Sequence, residues 1–135
     1  MVKAKKNLGQ HFLKDEETAA RIAGALDLTL ALDILEIGPG TGVLTKHILP
    51  RFSTEHRCLA VDLDRESIAY LKSHFSQYSA LNILHADVLR LSWSELAAPL
   101  IVTGNLPYNI SSPILFKILN HVDQIPHGVF MVQRE

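Results

Sequence analysis

Asn105-Leu106-Pro107-Tyr108 brings an amide, a stiff stretch of backbone and an aromatic ring together directly after the apolar run Leu100-Ile101-Val102-Thr103-Gly104. Proline has no N–H and a fixed φ, and it biases the preceding Leu106 towards extended backbone. Carbonyls held this way accept hydrogen bonds from a planar amine. Asn105 supplies both a donor and an acceptor, and Tyr108 offers a ring face. These groups suit the edge and face of an amino-substituted heterocycle such as adenine. Read alone, the tetrapeptide also suits a plain turn with Asn as its local turn former.

Other groups of the same kind lie upstream. Gly38, Gly40 and Gly42 let backbone turn tightly and approach a ligand with no Cβ between them. Their spacing is GxGxG rather than the dinucleotide GxGxxG. Glu36, two residues before Gly38, opposes a pyrophosphate but attracts the amino group of an amino-acid moiety. Asp62 lies 20 residues beyond Gly42, where an acid accepts from ribose hydroxyls, or it is a solvated strand end. Asp87 can take the exocyclic amine of an adenine, or simply form a turn. His11, in Gly9-Gln10-His11-Phe12-Leu13, suits a segment folded over a ligand or a staple for the first helix. His47 reads as a favourable charge near a helix C-terminus. The seven histidines and one cysteine show no metal-ligand spacing, so no metal is expected.

Positioning these groups requires an alternation of strands and helices. Asp15 is expected to cap a helix burying Ala19, Ile22, Ala23 and Leu26. Strands are expected at 31–37, 58–61, 81–84, 100–103 and 129–132. A glycine turn and a short helix stopped near Pro50 follow the first strand. Asp64 caps a helix running to about Phe75, with Ile68, Leu71 and Phe75 on one face. Ser112 and Pro113 start another, with Ile114, Leu115, Ile118 and Leu119 as its buried stripe. The expected class is α/β, a mostly parallel sheet with helices on both faces. Ligands of such sheets sit at the carboxyl ends of the strands. The glycine turn, Asp62, Asp87 and Asn105 each follow one of the first four strands, and this convergence is the strongest functional signal in the chain.

A length of 135 residues fits one domain at most. With 47% hydrophobic and 20% charged residues, the composition is that of a soluble globular protein. No membrane span or signal peptide is evident, so no membrane partner is expected. The single Cys58 excludes an internal disulfide and fits a reducing compartment. A net charge of −1 gives no overall attraction to nucleic acid, but Lys3, Lys5, Lys6 and Lys14 form a basic arm over residues 1–14.

With these residues assembled, Glu36-Ile37-Gly38-Pro39-Gly40-Thr41-Gly42, Asp87 and Asn105-Leu106-Pro107-Tyr108-Asn109-Ile110-Ser111 resemble the ribosomal RNA adenine N6-dimethyltransferases. The segment 9–13 looks like that family's opening motif, and the resemblance runs over residues 7–135. The small-subunit enzymes are the nearest type, with the Erm resistance methylases as cousins.

The resemblance implies a Rossmann-like S-adenosylmethionine-dependent methyltransferase fold. By position, His11 and Leu13 would contact the cofactor from residues 1–14. Gly38 and Gly40 would pass under its methionine part, Asp62 would hold the ribose, and Asp87 the adenine amine. Asn105 would border both cofactor and target adenine. Asn105 with the Leu106 or Pro107 carbonyl would orient the target N6, and Tyr108 would stack on the base. The implied activity is N6-dimethylation of adjacent adenines in small-subunit (16S) rRNA during ribosome biogenesis. The partner would be the 30S precursor particle, met by a cytoplasmic monomer.

Two positions depart from the family pattern: Asp62 stands where Glu is usual, and His11 where Asn is common. Residues 132–135 look like the start of a further family motif. Residues 15–135 therefore read as the N-terminal part of a catalytic domain cut after its fifth strand, without the C-terminal helical domain. Competing readings are an Erm-like 23S rRNA methylase, a non-catalytic ribosome-assembly module and, more distantly, a nicotinamide dehydrogenase. Glu36 and the Asn-Leu-Pro-Tyr loop disfavour the last of these.

Overall fold

The computed structural model describes residues 16–96, 99–106 and 109–132. Five strands form one sheet: β1 (Asp33–Ile37), β2 (Cys58–Asp62), β3 (Leu81–His85), β4 (Leu100–Leu106) and β5 (His127–Val132). Among the described residues, four α-helices accompany them: α1 (Glu16–Ala25), α2 (Thr45–Ile48), α3 (Arg65–His74) and α4 (Ser111–Asn120). The strand order is β3-β2-β1-β4-β5 and every pairing is parallel. The chain winds outward from β1 through β2 to β3, then crosses back to β4 on the other side of β1. The order therefore switches between β1 and β4, where a parallel sheet opens a crevice at its carboxyl edge.

Alternation along the central strands divides the core in two. Leu35 and Ile37 of β1 join Val102, Leu106, Val88, Trp93, Ile114 and Ile125 on one face. Ile34 and Ile101 face the other way, onto Ile22 and Ala23 of α1, Leu26 just after it, and Leu44 and Ile48 around α2. All four apolar positions expected in the first helix are buried. Arg51 clamps this helix by donating to the carbonyls of Ala23 and Leu26. Such side-chain donors satisfy carbonyls that a helix end leaves open. Gly24 sits in α1 with nothing within 4 Å of the place a Cβ would occupy. Gly24→Ala is expected to stabilise the fold by about 0.5–1 kcal/mol, read as a higher urea midpoint, because alanine loses less backbone entropy in a helix.

Several expectations need correction. β4 does not end at Thr103 but runs on to Leu106, which pairs with Val132. β5 starts two residues earlier than expected and supplies the ladder for that extension, a non-local cause that a strand's own residues do not reveal. Asn105 is therefore held on a strand, opposite Met131, rather than on a loop. The short helix after the glycine turn ends at Ile48, near Pro50 as expected, and a 3-10 turn, Leu49–Arg51, carries the chain on. α4 begins at Ser111, so Ser112 lies inside the first turn and is not the cap. Only Ile114 of its expected stripe is buried. Ile118 is half-buried, whereas Leu115 and Leu119 are exposed at 37% and 64%. The helix thus meets the sheet along the narrow 114/118 line. Asp15 lies outside the described residues.

Candidate active site at the carboxyl edge of the sheet

The loop joining β1 to α2 is built on three glycines with positive φ: 66° at Gly38, 56° at Gly40 and 84° at Gly42. Residues with a Cβ resist this left-handed region. A Cβ on Gly38 would lie 3.9 Å from the Asn105 carbonyl, so the loop lies directly across the crevice from β4. The loop is fixed from several sides. Gly38 donates to the Val61 carbonyl at 2.9 Å and Gly42 to that of Pro39 at 2.9 Å. Gly40 N–H donates to Asp62 Oδ2 at 3.0 Å, while Asp64 N–H donates to Oδ1 at 2.9 Å. Asp62 is thus the latch of the glycine loop as well as the end of β2. Two N–H bonds leave lone pairs on both of its oxygens for further donors.

Glu36 lies on the α1/α2 face of β1 and is only 1% exposed. Thr45, the first residue of α2, donates its hydroxyl to Glu36 Oε1 at 2.6 Å, so the residues flanking the glycine loop are joined. Burial pushes the Glu36 carboxyl from 4.5 up to about 7; the Asp62 charge adds to the rise and the Thr45 bond opposes it. Burial also raises the Asp62 carboxyl, with the Asp64 charge adding, against the backbone N–H bonds that favour its anion. Two buried acids beside one crevice make a site that favours an arriving cation or proton donor.

The end of β3 lies beside this pair, since Ala86 N–H donates to the Asp62 carbonyl at 3.0 Å. Asp87 follows at the head of a tight turn. Its Oδ1 accepts from Leu89 N–H at 3.0 Å, and its Oδ2 lies 4.0 Å from Arg90 Nε. Asp87 is half-buried, with its carboxylate accessible. On β4, Thr103 donates to the Val129 carbonyl at 2.7 Å, and Asn105 sits half-buried at the crevice lip. Leu106 is fully buried and its side chain belongs to the core. Gly38, Gly40, Asp62, Asp87 and Asn105 are therefore gathered along one edge of the sheet. His11, Leu13, Pro107 and Tyr108 lie outside the described residues. His47, on the last turn of α2, lies with its Nε2 2.8 Å from Glu16 Oε2, away from the crevice residues. Thr45 was not singled out from sequence; its only signal was a hydroxyl nine residues beyond an acid that proved to be buried.

A family model for ribosomal RNA adenine dimethylases matches residues 1–135. The chain is 48% identical to the ribosomal RNA small subunit methyltransferase A of Parabacteroides distasonis, covering 100% of this chain and 50% of that protein. Its counterpart in Phocaeicola vulgatus is 46% identical, with 100% and 48% covered. The chain thus spans about half the length of the curated relatives it matches. Among solved structures, a dimethyladenosine transferase from Plasmodium falciparum superposes with a TM-score of 0.72 at 28% identity, over 92% of this chain and 44% of that one. The 23S rRNA methyltransferase ErmE gives 0.70 at 30% identity, over 81% and 43%. A Rossmann-like methyltransferase sheet, a glycine loop latched to the second strand and a family match over residues 1–135 agree: the chain belongs to the ribosomal RNA adenine dimethylase family.

Proposed function

We propose that this chain forms the cofactor-binding and target-base-binding part of an S-adenosylmethionine-dependent enzyme that dimethylates adenine N6 in small-subunit rRNA. The observation that carries this reading is the crevice between β1 and β4, with the latched glycine loop on one side and Asn105 on the other. The residues fit the cofactor. The space beside Gly38 is one that a side chain there would fill, and the buried Glu36 carboxylate suits an ammonium. Gly38 and Gly40 pass under the methionine part, Asp62 accepts from the ribose hydroxyls and Asp87 from the adenine amine. Residues 1–14, with His11 and Leu13, cover the cofactor, and residues 15–135 form the N-terminal part of the catalytic domain.

When bound, S-adenosylmethionine supplies an electrophilic methyl group on sulfonium, and its leaving group is a neutral thioether. The protein's task is then orientation. Asn105 and the Leu106 or Pro107 carbonyl accept the hydrogens of the target N6, which aims its lone pair, while Tyr108 stacks on the base. Holding two reactants in line in this way is worth roughly 7–11 kcal/mol in favourable cases. An adenine must leave its stack to be reached, and an aromatic face recovers part of the lost stacking. The small-subunit assignment is supported by the names of the relatives at 42–48% identity. It carries with it the 30S precursor as partner and a cytoplasmic monomer as the acting form. Among the described residues, no helix is long and apolar enough to cross a membrane.

Calorimetric titration with S-adenosylmethionine, with NAD as control, tests the cofactor. Saturable binding of the former alone is expected, and Asp87→Ala weakens it about tenfold, the worth of one good hydrogen bond to a charged group. Asp87→Asn keeps an acceptor for Leu89 N–H yet presents an amide, and is expected to weaken binding as well. Binding of NAD in place of S-adenosylmethionine overturns the reading.

A further inference from the structure

We propose that Lys117 is a positioning residue for the adenine end of the cofactor site, and that it fastens that end to the helix following the target-base loop. The inference rests on the reading of Asp87 given above.

Asp87 starts a single turn. Its carbonyl accepts from Arg90 and Leu91 N–H, both at 3.0 Å, and its carboxylate from Leu89 N–H. A turn this short leaves its last carbonyls without partners in the ladder. Lys117 reaches across from α4 and donates to the Leu89 carbonyl at 2.7 Å and the Leu91 carbonyl at 2.6 Å. Asp87 heads the turn and Lys117 closes it, so both ends of the turn are held by side-chain hydrogen bonds. The ammonium lies 5.6 Å from the centre of the Trp93 ring, within reach of a cation–π attraction.

Neighbouring groups make the fastening stiff. Trp93 is fully buried and donates from Nε1 to the Val88 carbonyl at 3.1 Å. Gln124 donates to the Trp93 carbonyl at 2.6 Å, and the His121 ring lies 5.7 Å from that of Trp93. Four carbonyls between residues 88 and 93 are therefore held by Trp93 itself or by side chains of α4 and the 3-10 turn after it. α4 begins five residues after Leu106, on the far side of the target-base loop. A shift of α4 must pull on the Asp87 turn, and Lys117 carries most of the polar link between them.

The test compares S-adenosylhomocysteine with its inosyl counterpart, which bears oxygen in place of the adenine amine. The full chain and its Lys117→Met and Lys117→Arg variants are titrated with both. The wild type is expected to favour the adenosyl compound about tenfold. Lys117→Met should lose most of that preference while binding the inosyl compound about as well as before, and Lys117→Arg should recover part of it. An unchanged preference in Lys117→Met, or an equal loss for both compounds, overturns the proposal. A wild type without the preference overturns the reading of Asp87 instead.

Should Lys117→Met not fold, hydrogen exchange on the wild type decides. S-adenosylhomocysteine is expected to slow the amides of residues 89–91 and 117–121 together. Protection confined to the first group overturns the link.

Discussion

At pH 8, Glu36→Gln is expected to be more stable than the wild type by about 3 kcal/mol, and the gain should be nearly gone near pH 4.5. The sign follows from the buried carboxyl, whose pKa rises from 4.5 in the unfolded chain to about 7 in the fold. Between these values the folded protein holds a proton that the unfolded chain has released. Stability from this group is therefore greatest below the lower value, falls as pH rises through the window and levels off above about 7. Glutamine has no charge to bury and keeps an oxygen to accept the Thr45 hydroxyl. Asp62, raised in the same direction, is present in both proteins, so the difference reports Glu36 together with its coupling to the Asp62 charge. Urea midpoints at pH 4.5 and 8 measure it, and equal midpoints at pH 8 would show that the carboxylate is not a burden. A charge retained at such a cost belongs where function uses it. The same variant is accordingly expected to bind S-adenosylmethionine more than tenfold more weakly, while a deaminated analogue of it loses little.

The sequence disclosed the positions in this site better than the connections among them. The Leu-Glu-Ile-Gly series and the polar groups after each strand are local signals, and they located the glycine loop, Asp62, Asp87 and Asn105 on one edge of a parallel sheet. Strand pairing is not local. The extra length of β4 depends on how far β5 runs beside it, and Asn105 moved from loop to strand for that reason. The amphipathic pattern of α4 likewise shows which residues are apolar, not how wide a surface the sheet offers them, so Leu115 and Leu119 were misplaced. Asp62 was recognisable as an acid at a strand end, but nothing around it in the chain announced the Gly40 N–H that it accepts. Thr45 and Lys117 act on groups 9 and 26–28 residues away, and their residue types alone suggest nothing more specific than a helix surface.

Gly104→Ala is expected to destabilise the fold by about 3 kcal/mol, the upper end of what overpacking a core usually does. Gly104 pairs with Ile37 in the two central strands. A Cβ there would lie 2.5 Å from the Ile37 carbonyl oxygen and 3.2 Å from its Cβ. The obstruction is backbone within a paired strand, so it cannot turn aside as the tip of a long side chain can. Relief requires β1 and β4 to separate at the place where the strand order switches. The next residues along are Gly38 and Asn105, whose close approach defines the crevice. Alanine at 104 therefore acts on stability and on the site through one displacement. Molecules that remain folded are expected to bind S-adenosylmethionine about tenfold more weakly than the wild type. The pairing of the two effects is the informative result, read by urea unfolding and by titration under conditions where the variant is fully folded. A loss of stability with unchanged binding would mean that the strain is absorbed elsewhere in the sheet, and that the glycine keeps the strands close without setting the width of the site.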